Sequence, residues 1–212
     1  MFVKYWDGVA SDGEIAEDRY IPIRLVYPLN EEAVGNRFSC YYRSTDGGLH
    51  QPKKGRGYPE SMLELVVDKY SGGVCRLVLV SVLKVRYQDF EPGRVVSGAP
   101  VFDVEATLGD RWLQRDRVNS GVEFVPAIDQ YEQYELWVGS DRFTILFEGR
   151  TISVAIQTGA HLIVFVDEDQ EVCGFQITGV TPDQRAKIIH TITYAGDVIE
   201  GQDTFAGSED QL

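Results

Sequence analysis

The sequence predicts a mainly β protein with antiparallel sheets and one or two short helices, built as a β-sandwich or as two β-rich subdomains. Three observations carry that prediction. Apolar residues recur with a period of two or gather in short solid runs. β-branched and aromatic residues dominate those runs, as a pleated, half-buried surface favours. Turn-forming clusters interrupt them at short intervals: Asp46-Gly47-Gly48, Ser71-Gly72-Gly73, Pro92-Gly93, Glu148-Gly149 and Thr158-Gly159.

Taken in order, the predicted strands are Tyr20 to Tyr27, Phe38 to Arg43, Leu63 to Asp68 and a long Val74 to Tyr87. Val101 to Leu108, Gly121 to Val125, Tyr134 to Val138, Phe143 to Glu148 and Thr151 to Ile156 follow, then His161 to Val166 and Val172 to Ile177. Phe143 to Ile156 reads as one hairpin closed at Glu148-Gly149-Arg150. The clearest helix begins at Thr181-Pro182-Asp183-Gln184. Thr is the N-cap there, Pro takes the first helical position, and Gln sits where a capping box needs it. Its body runs to about His190. A second helix start at Pro59-Glu60-Ser61-Met62 competes with the strand pattern that follows it.

The chain has 212 residues, enough for one sizeable domain or two small ones. No run approaches the ~18 apolar residues of a membrane span, and Met1 to Asp7 contains no apolar signal region, so a cytoplasmic location without a membrane partner is expected. Cys40, Cys75 and Cys173 are an odd number with no C-x-x-C. Strand-like surroundings mark Cys75 and Cys173 as buried, inert thiols in a reducing compartment.

Charge is the most informative quantity. Lys and Arg number 20 against 33 Asp and Glu, a formal net charge of −13. Residues 1–117 hold 16 basic and 17 acidic side chains, whereas 118–212 hold 4 and 16. The expected organisation is therefore a near-neutral β-rich half (1–117), an acidic β-rich half (118–195) with a short helix near 182–190, and a disordered acidic tail (196–212). One continuous domain is the alternative. Such a field repels nucleic acid and attracts basic partners. The lone basic cluster, His50 to Tyr58, reads as a mobile loop and lacks a phosphate-binding pattern.

Two acidic stretches stand out. Asp129-Gln130-Tyr131-Glu132-Gln133-Tyr134-Glu135-Leu136-Trp137 interleaves carboxylates with aromatics, a composition suited to Arg- and Lys-rich partners. Asp167-Glu168-Asp169-Gln170-Glu171 lacks the Gly and Glu of a calcium loop and lies between strands, so it reads as a hairpin turn and not a metal site. His50, His161 and His190 are scattered, no hydrolase or zinc motif occurs, and no spacing selects a catalytic carboxylate pair. Neither a catalytic residue nor a cofactor is assigned.

Glu60 to Asp68 runs through a Ser-Gly-Gly turn into Arg76 to Val80, and Leu162 to Asp167 runs through the acidic turn into Gly174 to Ile177 and on to Thr181-Pro182-Asp183-Gln184. Together these stretches resemble small acidic immunity proteins of bacterial toxin systems, including contact-dependent growth inhibition. The resemblance implies a protein that binds and neutralises one cognate toxin, often a nuclease with a basic groove. The expected contacts are Asp129, Glu132, Glu135, Asp167, Glu168, Asp169 and Glu171, with Tyr131, Tyr134 and Trp137 as apolar anchors. A phage- or plasmid-type acidic interaction protein or nucleic-acid mimic is the second expectation. An enzyme or ligand-binding domain with a cleft unmarked in sequence is the third.

Overall fold

The computed structural model describes residues 1–6, 13–16, 23–26, 37–45, 60–108 and 127–195. The predicted strand at Gly121 to Val125, the Asp46 turn, the basic cluster at His50 to Tyr58 and the 196–212 tail lie outside the described residues. The N-terminal strands are β1 (Val3–Tyr5), β2 (Glu14–Ala16), β3 (Ile23–Val26), β4 (Arg37–Thr45), β5 (Glu60–Asp68), β6 (Val74–Ser81), β7 (Val85–Arg86), β8 (Val95–Ser97) and β9 (Val101–Phe102). Helix α1 (Val104–Leu108) follows. Then come β10 (Ala127–Tyr131), β11 (Tyr134–Val138), β12 (Arg142–Phe147), β13 (Val154–Thr158), β14 (Leu162–Val166), β15 (Val172–Thr178) and helix α2 (Pro182–Ala195). The protein is mainly β.

A six-stranded sheet has the order β10-β4-β5-β6-β3-β2 and a seven-stranded sheet the order β7-β11-β12-β15-β14-β13-β8; β1 and β9 form a small third sheet. Most pairs are antiparallel, as period-two alternation and short turns favour. Three are parallel: β10 with β4, β11 with β7 and β13 with β8. The two large sheets pack face to face as a sandwich. The Tyr42 ring centroid lies 4.8 Å from Phe147 and 6.2 Å from Phe175 of the facing sheet. One apolar cluster, with Phe38, Leu65 and Leu77 on one side and Leu136, Ile145 and Val164 on the other, fills the space between them. Sheet membership crosses the sequence halves. β10 completes the first sheet, while β7 and β8 form the two edges of the second.

That last arrangement makes a strap. Residues 87–94 connect opposite edges of the seven-stranded sheet and pass over its outer face. Six interstrand spacings come to about 29 Å, and the nine residue steps from Arg86 to Val95 reach about 30 Å when extended, so the strap has little slack. It is pinned midway. Gln176, buried on β15, donates through Nε2 to the Phe90 carbonyl at 2.9 Å and to Thr144 Oγ1 at 2.8 Å. The Phe90 ring meets Phe165 and Trp137 at 5.8 and 5.6 Å. A second apolar cluster, Ala155, Ile163, Phe165 and Cys173, lies on this outer face. Both faces of β14 and β15 are therefore covered, which is why their sequences read as solid apolar runs.

Four expectations need correction. Val74 to Tyr87 is two strands in different sheets, and residues 82–84 carry the chain across, with the Leu83 amide donating to buried Ser61 Oγ at 2.7 Å. The helix start read at Pro59-Glu60-Ser61-Met62 gives way to strand: Glu60 onward is β5, because both its edges pair, with β4 and β6, and its odd-numbered residues are buried in the core. Val101 to Leu108 turns helical after two residues, because Asp103 caps α1 through Oδ1 and the Ala106 amide at 2.8 Å. Phe143 to Ile156 is not a hairpin: β12 pairs with β11 and β15, while β13 pairs with β14 and β8. Strands β12 to β15 thus form a Greek key. A bulge at Cys173 lets Val172 and Phe175 both face the inner core. Beside it Gly174 allows close approach of β12, since a Cβ there would lie 2.3 Å from the Ile145 carbonyl oxygen.

Helix α2 keeps its capping box. The Gln184 amide donates to Thr181 Oγ1 at 3.3 Å, and the Thr181 amide donates to Gln184 Oε1 at 3.0 Å. No described helix is long and apolar enough to cross a membrane.

Candidate functional site

Strand direction brings three turns to one end of the seven-stranded sheet. Tyr134 is in register with Phe147, Leu146 with Gly174, and Val154 with Val166. The β10–β11 turn (Glu132, Gln133), the β12–β13 connection (Glu148, Gly149, Arg150) and the β14–β15 turn (Asp167 to Glu171) therefore sit side by side. The chain start joins them: the Val3 amide donates to the Gln170 carbonyl, and the Val172 amide to the Met1 carbonyl. Six carboxylates gather here, Glu132, Glu148, Asp167, Glu168, Asp169 and Glu171, with two cations, Arg150 and Lys84, paired among them.

Arg150 organises this end. Its guanidinium donates to Glu132 at 3.0 Å, to Asp167 at 2.9 Å and to Glu171. The hydrogen bond it donates to Glu171 foremost, joined by those to Asp167 and Glu132, raises its pKa further above the usual guanidinium range, against the opposing effect of burial. One cation thus ties a turn between the two sheets to a hairpin of the second sheet, and two formal negative charges remain. The Asp167 carboxylate also accepts the Asp169 and Glu171 amides at 3.0 and 2.9 Å, which shapes the turn; Gln170 takes a positive φ of 63°. Glu168 and Asp169 project into solvent at its tip.

The ten residues expected to contact a partner separate into groups. Glu132, Asp167, Glu168, Asp169 and Glu171 come together at this end. Tyr131 borders it and is 76% exposed. Asp129 lies further along β10 and pairs with Arg43 at 2.6 Å. Glu135 and Trp137 face outward on β11. There the Glu135 carboxylate accepts from Arg86 Nε at 2.6 Å and from Trp137 Nε1 at 2.7 Å. Tyr134 is 1% exposed, its hydroxyl donating to the Ser81 carbonyl. It is a core residue and offers no surface to a partner, because the alternation of β11 turns it inward together with Leu136 and Val138.

Sequence reasoning missed Arg150, Glu148 and Lys84, together with Phe2, an aromatic 40% exposed that bridges to Glu171. Arg150 carried a signal, as one of only four basic residues after Arg117. Reading its segment as a hairpin loop hid its role. The −1 and −12 split is also partly undone in space, since Arg43, Lys84 and Arg86 from the first half pair with Asp129, Glu148 and Glu135 from the second.

The three cysteines are free and buried. Burial pushes the thiols of Cys40 and Cys173 up to about 12, so both stay protonated and unreactive near neutrality. Among the described residues no cluster of His, Cys, Asp or Glu has the arrangement of a metal site. No family model matches the chain, and no curated protein matches it.

Proposed function

We propose that this chain is an immunity protein that binds and neutralises a basic toxin domain, with the acidic end of the seven-stranded sheet as its contact surface. The observation that carries the reading is the convergence of six carboxylates on that end, with Arg150 and Lys84 as the cationic side chains paired among them in the described residues. The site has the make-up of a recognition surface. Exposed Glu168 and Asp169 steer a cationic partner, Tyr131 and Phe2 supply apolar anchors at the margin, and the Arg150 network holds the underlying carboxylates in place. A basic nuclease groove is the class of partner such a field suits.

The test is capture from a lysate of the native host, followed by binding of the recovered polypeptide in purified form. A basic polypeptide should bind the wild-type chain, with association slowing as salt rises, over a Debye length of about 10 Å at 0.1 M. Glu168→Lys with Asp169→Lys should slow association by about tenfold or more and reduce protection of cells that express the toxin. Binding indifferent to both salt and these reversals would place the interface elsewhere and overturn the assignment of this end.

A further inference from the structure

A cleft of about 630 Å³ opens on the outer face of the seven-stranded sheet, between the strap and the β12–β13 connection. Phe90, Leu146, Ile152 and Cys173 give it apolar walls, and Arg86, Glu135, Glu148 and Arg150 supply charge. These charged groups are unequally committed. Arg150 is engaged by three carboxylates, Glu148 by Lys84, and both oxygens of Glu135 by Arg86 and Trp137. Arg86 spends only Nε on Glu135. Its terminal amino groups donate to nothing among the described residues, and its side chain is 60% exposed. The guanidinium carbon also lies over the Trp137 ring, 5.4 Å from its centroid, and that ring in turn packs on Phe90. A guanidinium edge anchored at Nε with free terminal donors can take a carboxylate through two parallel hydrogen bonds.

We propose that this cleft binds a small organic anion with an aromatic body, the ring against Phe90, Leu146 and Ile152 and the carboxylate on Arg86. The cleft has the volume of small-ligand sites, and its lining sets the apolar surface of Phe90, Leu146 and Ile152 beside the charged groups. Neighbouring Glu135 and Glu148 oppose an anion, so affinity rests on ring burial together with the Arg86 fork and is modest. The cleft borders the toxin-binding surface proposed above and shares Glu148 and Arg150 with it. Its test reads Arg86 and Trp137 while the other reads Glu168 and Asp169, so each can fail without the other.

The probe is 2-naphthoate, titrated into the ¹⁵N-labelled full chain while the Trp137 indole N–H resonance, assigned with Trp137→Phe, is followed. A saturable shift with a dissociation constant on the order of 1 mM is expected. The cationic 2-naphthylmethylammonium should bind about tenfold more weakly. Arg86→Gln should weaken naphthoate about tenfold, and Arg86→Lys, which keeps the charge without the fork, by less. Thr151→Trp, which fills the cleft from its exposed rim, should abolish the shift. Equal binding of the anion and the cation, unchanged binding in Arg86→Gln, or an unmoved Trp137 resonance at about 10 mM naphthoate would overturn the proposal.

Discussion

The two ends of the seven-stranded sheet use the same materials, tight turns and charged side chains, to opposite effect. At the end formed by residues 138–142 and 178–181, charges close on backbone and on each other. Arg185 donates to the Gly139 carbonyl at 2.7 Å, Arg142 pairs with Glu91 and Asp141, and Asp89 accepts the Ser140 amide at 2.9 Å. The fit leaves no room at Gly139, where a Cβ would lie 2.1 Å from Asp89 Oδ1. At the other end, among the described residues, six carboxylates share two cationic side chains and the Met1 ammonium, and negative charge is left over. The lesson is that the net charge of a sequence segment does not locate a charged surface. Which turns the topology stacks together, and which cations they share, decides that.

The comparison is sharpest at its two arginines. Arg150→Met should cost about 2–3 kcal/mol in urea unfolding, because it leaves three partly buried carboxylates facing one another. Glu171→Gln in that background should recover part of the loss. Arg142→Met should cost about 0.5 kcal/mol, since Glu91 and Asp141 are mostly exposed. Equal costs at the two positions would break the contrast. At the closed end, Thr181→Ala should cost about 1 kcal/mol through the lost N-cap, with the acidic end unaffected.

Smaller effects probe the same division. Because burial raises the thiol pKa values of Cys40 and Cys173, the reactive thiolate is scarce at pH 8. A disulfide reagent should label neither residue in the native protein and both after denaturation. Rapid native labelling of Cys173 would show that the strap opens. Smallest of all, a chelator should leave the melting temperature unchanged, because the Asp167 to Glu171 turn is shaped by its own amides and by Arg150. A drop of several degrees, reversed by calcium, would make the acidic end a metal site.

Local features of this fold were legible in the sequence, and long-range ones were not. The Thr181 capping box, the β14–β15 turn and the alternation of β11 are written in neighbouring residues, and each forms as expected. The β12–β13 reading failed because a Glu-Gly-Arg turn looks the same whether the next strand folds back beside its predecessor or passes two strands further. Both edges of β12 are taken, by β11 and β15, and the three partners of Arg150 lie 17 to 21 positions away. Among the candidate contacts, a one-residue alternation placed Tyr134 in the core and Glu135 and Trp137 outside. Deciding which face was inward required the facing sheet, with Tyr42 and Phe147.

The strap also sets an order of events during synthesis. Strands β7 and β8 leave the ribosome well before β11 and β13, their partners at the two edges, and the chain between them has no surface to lie on until β11 to β15 are paired. At about 5–20 residues per second, Arg86 and Val95 wait several seconds for a sheet that does not yet exist. Meanwhile Phe90 lacks the Trp137, Phe165 and Gln176 side chains that cover and pin it in the folded protein. The outer face is therefore sealed last, and the late strands act as the template on which an earlier-made segment is laid down.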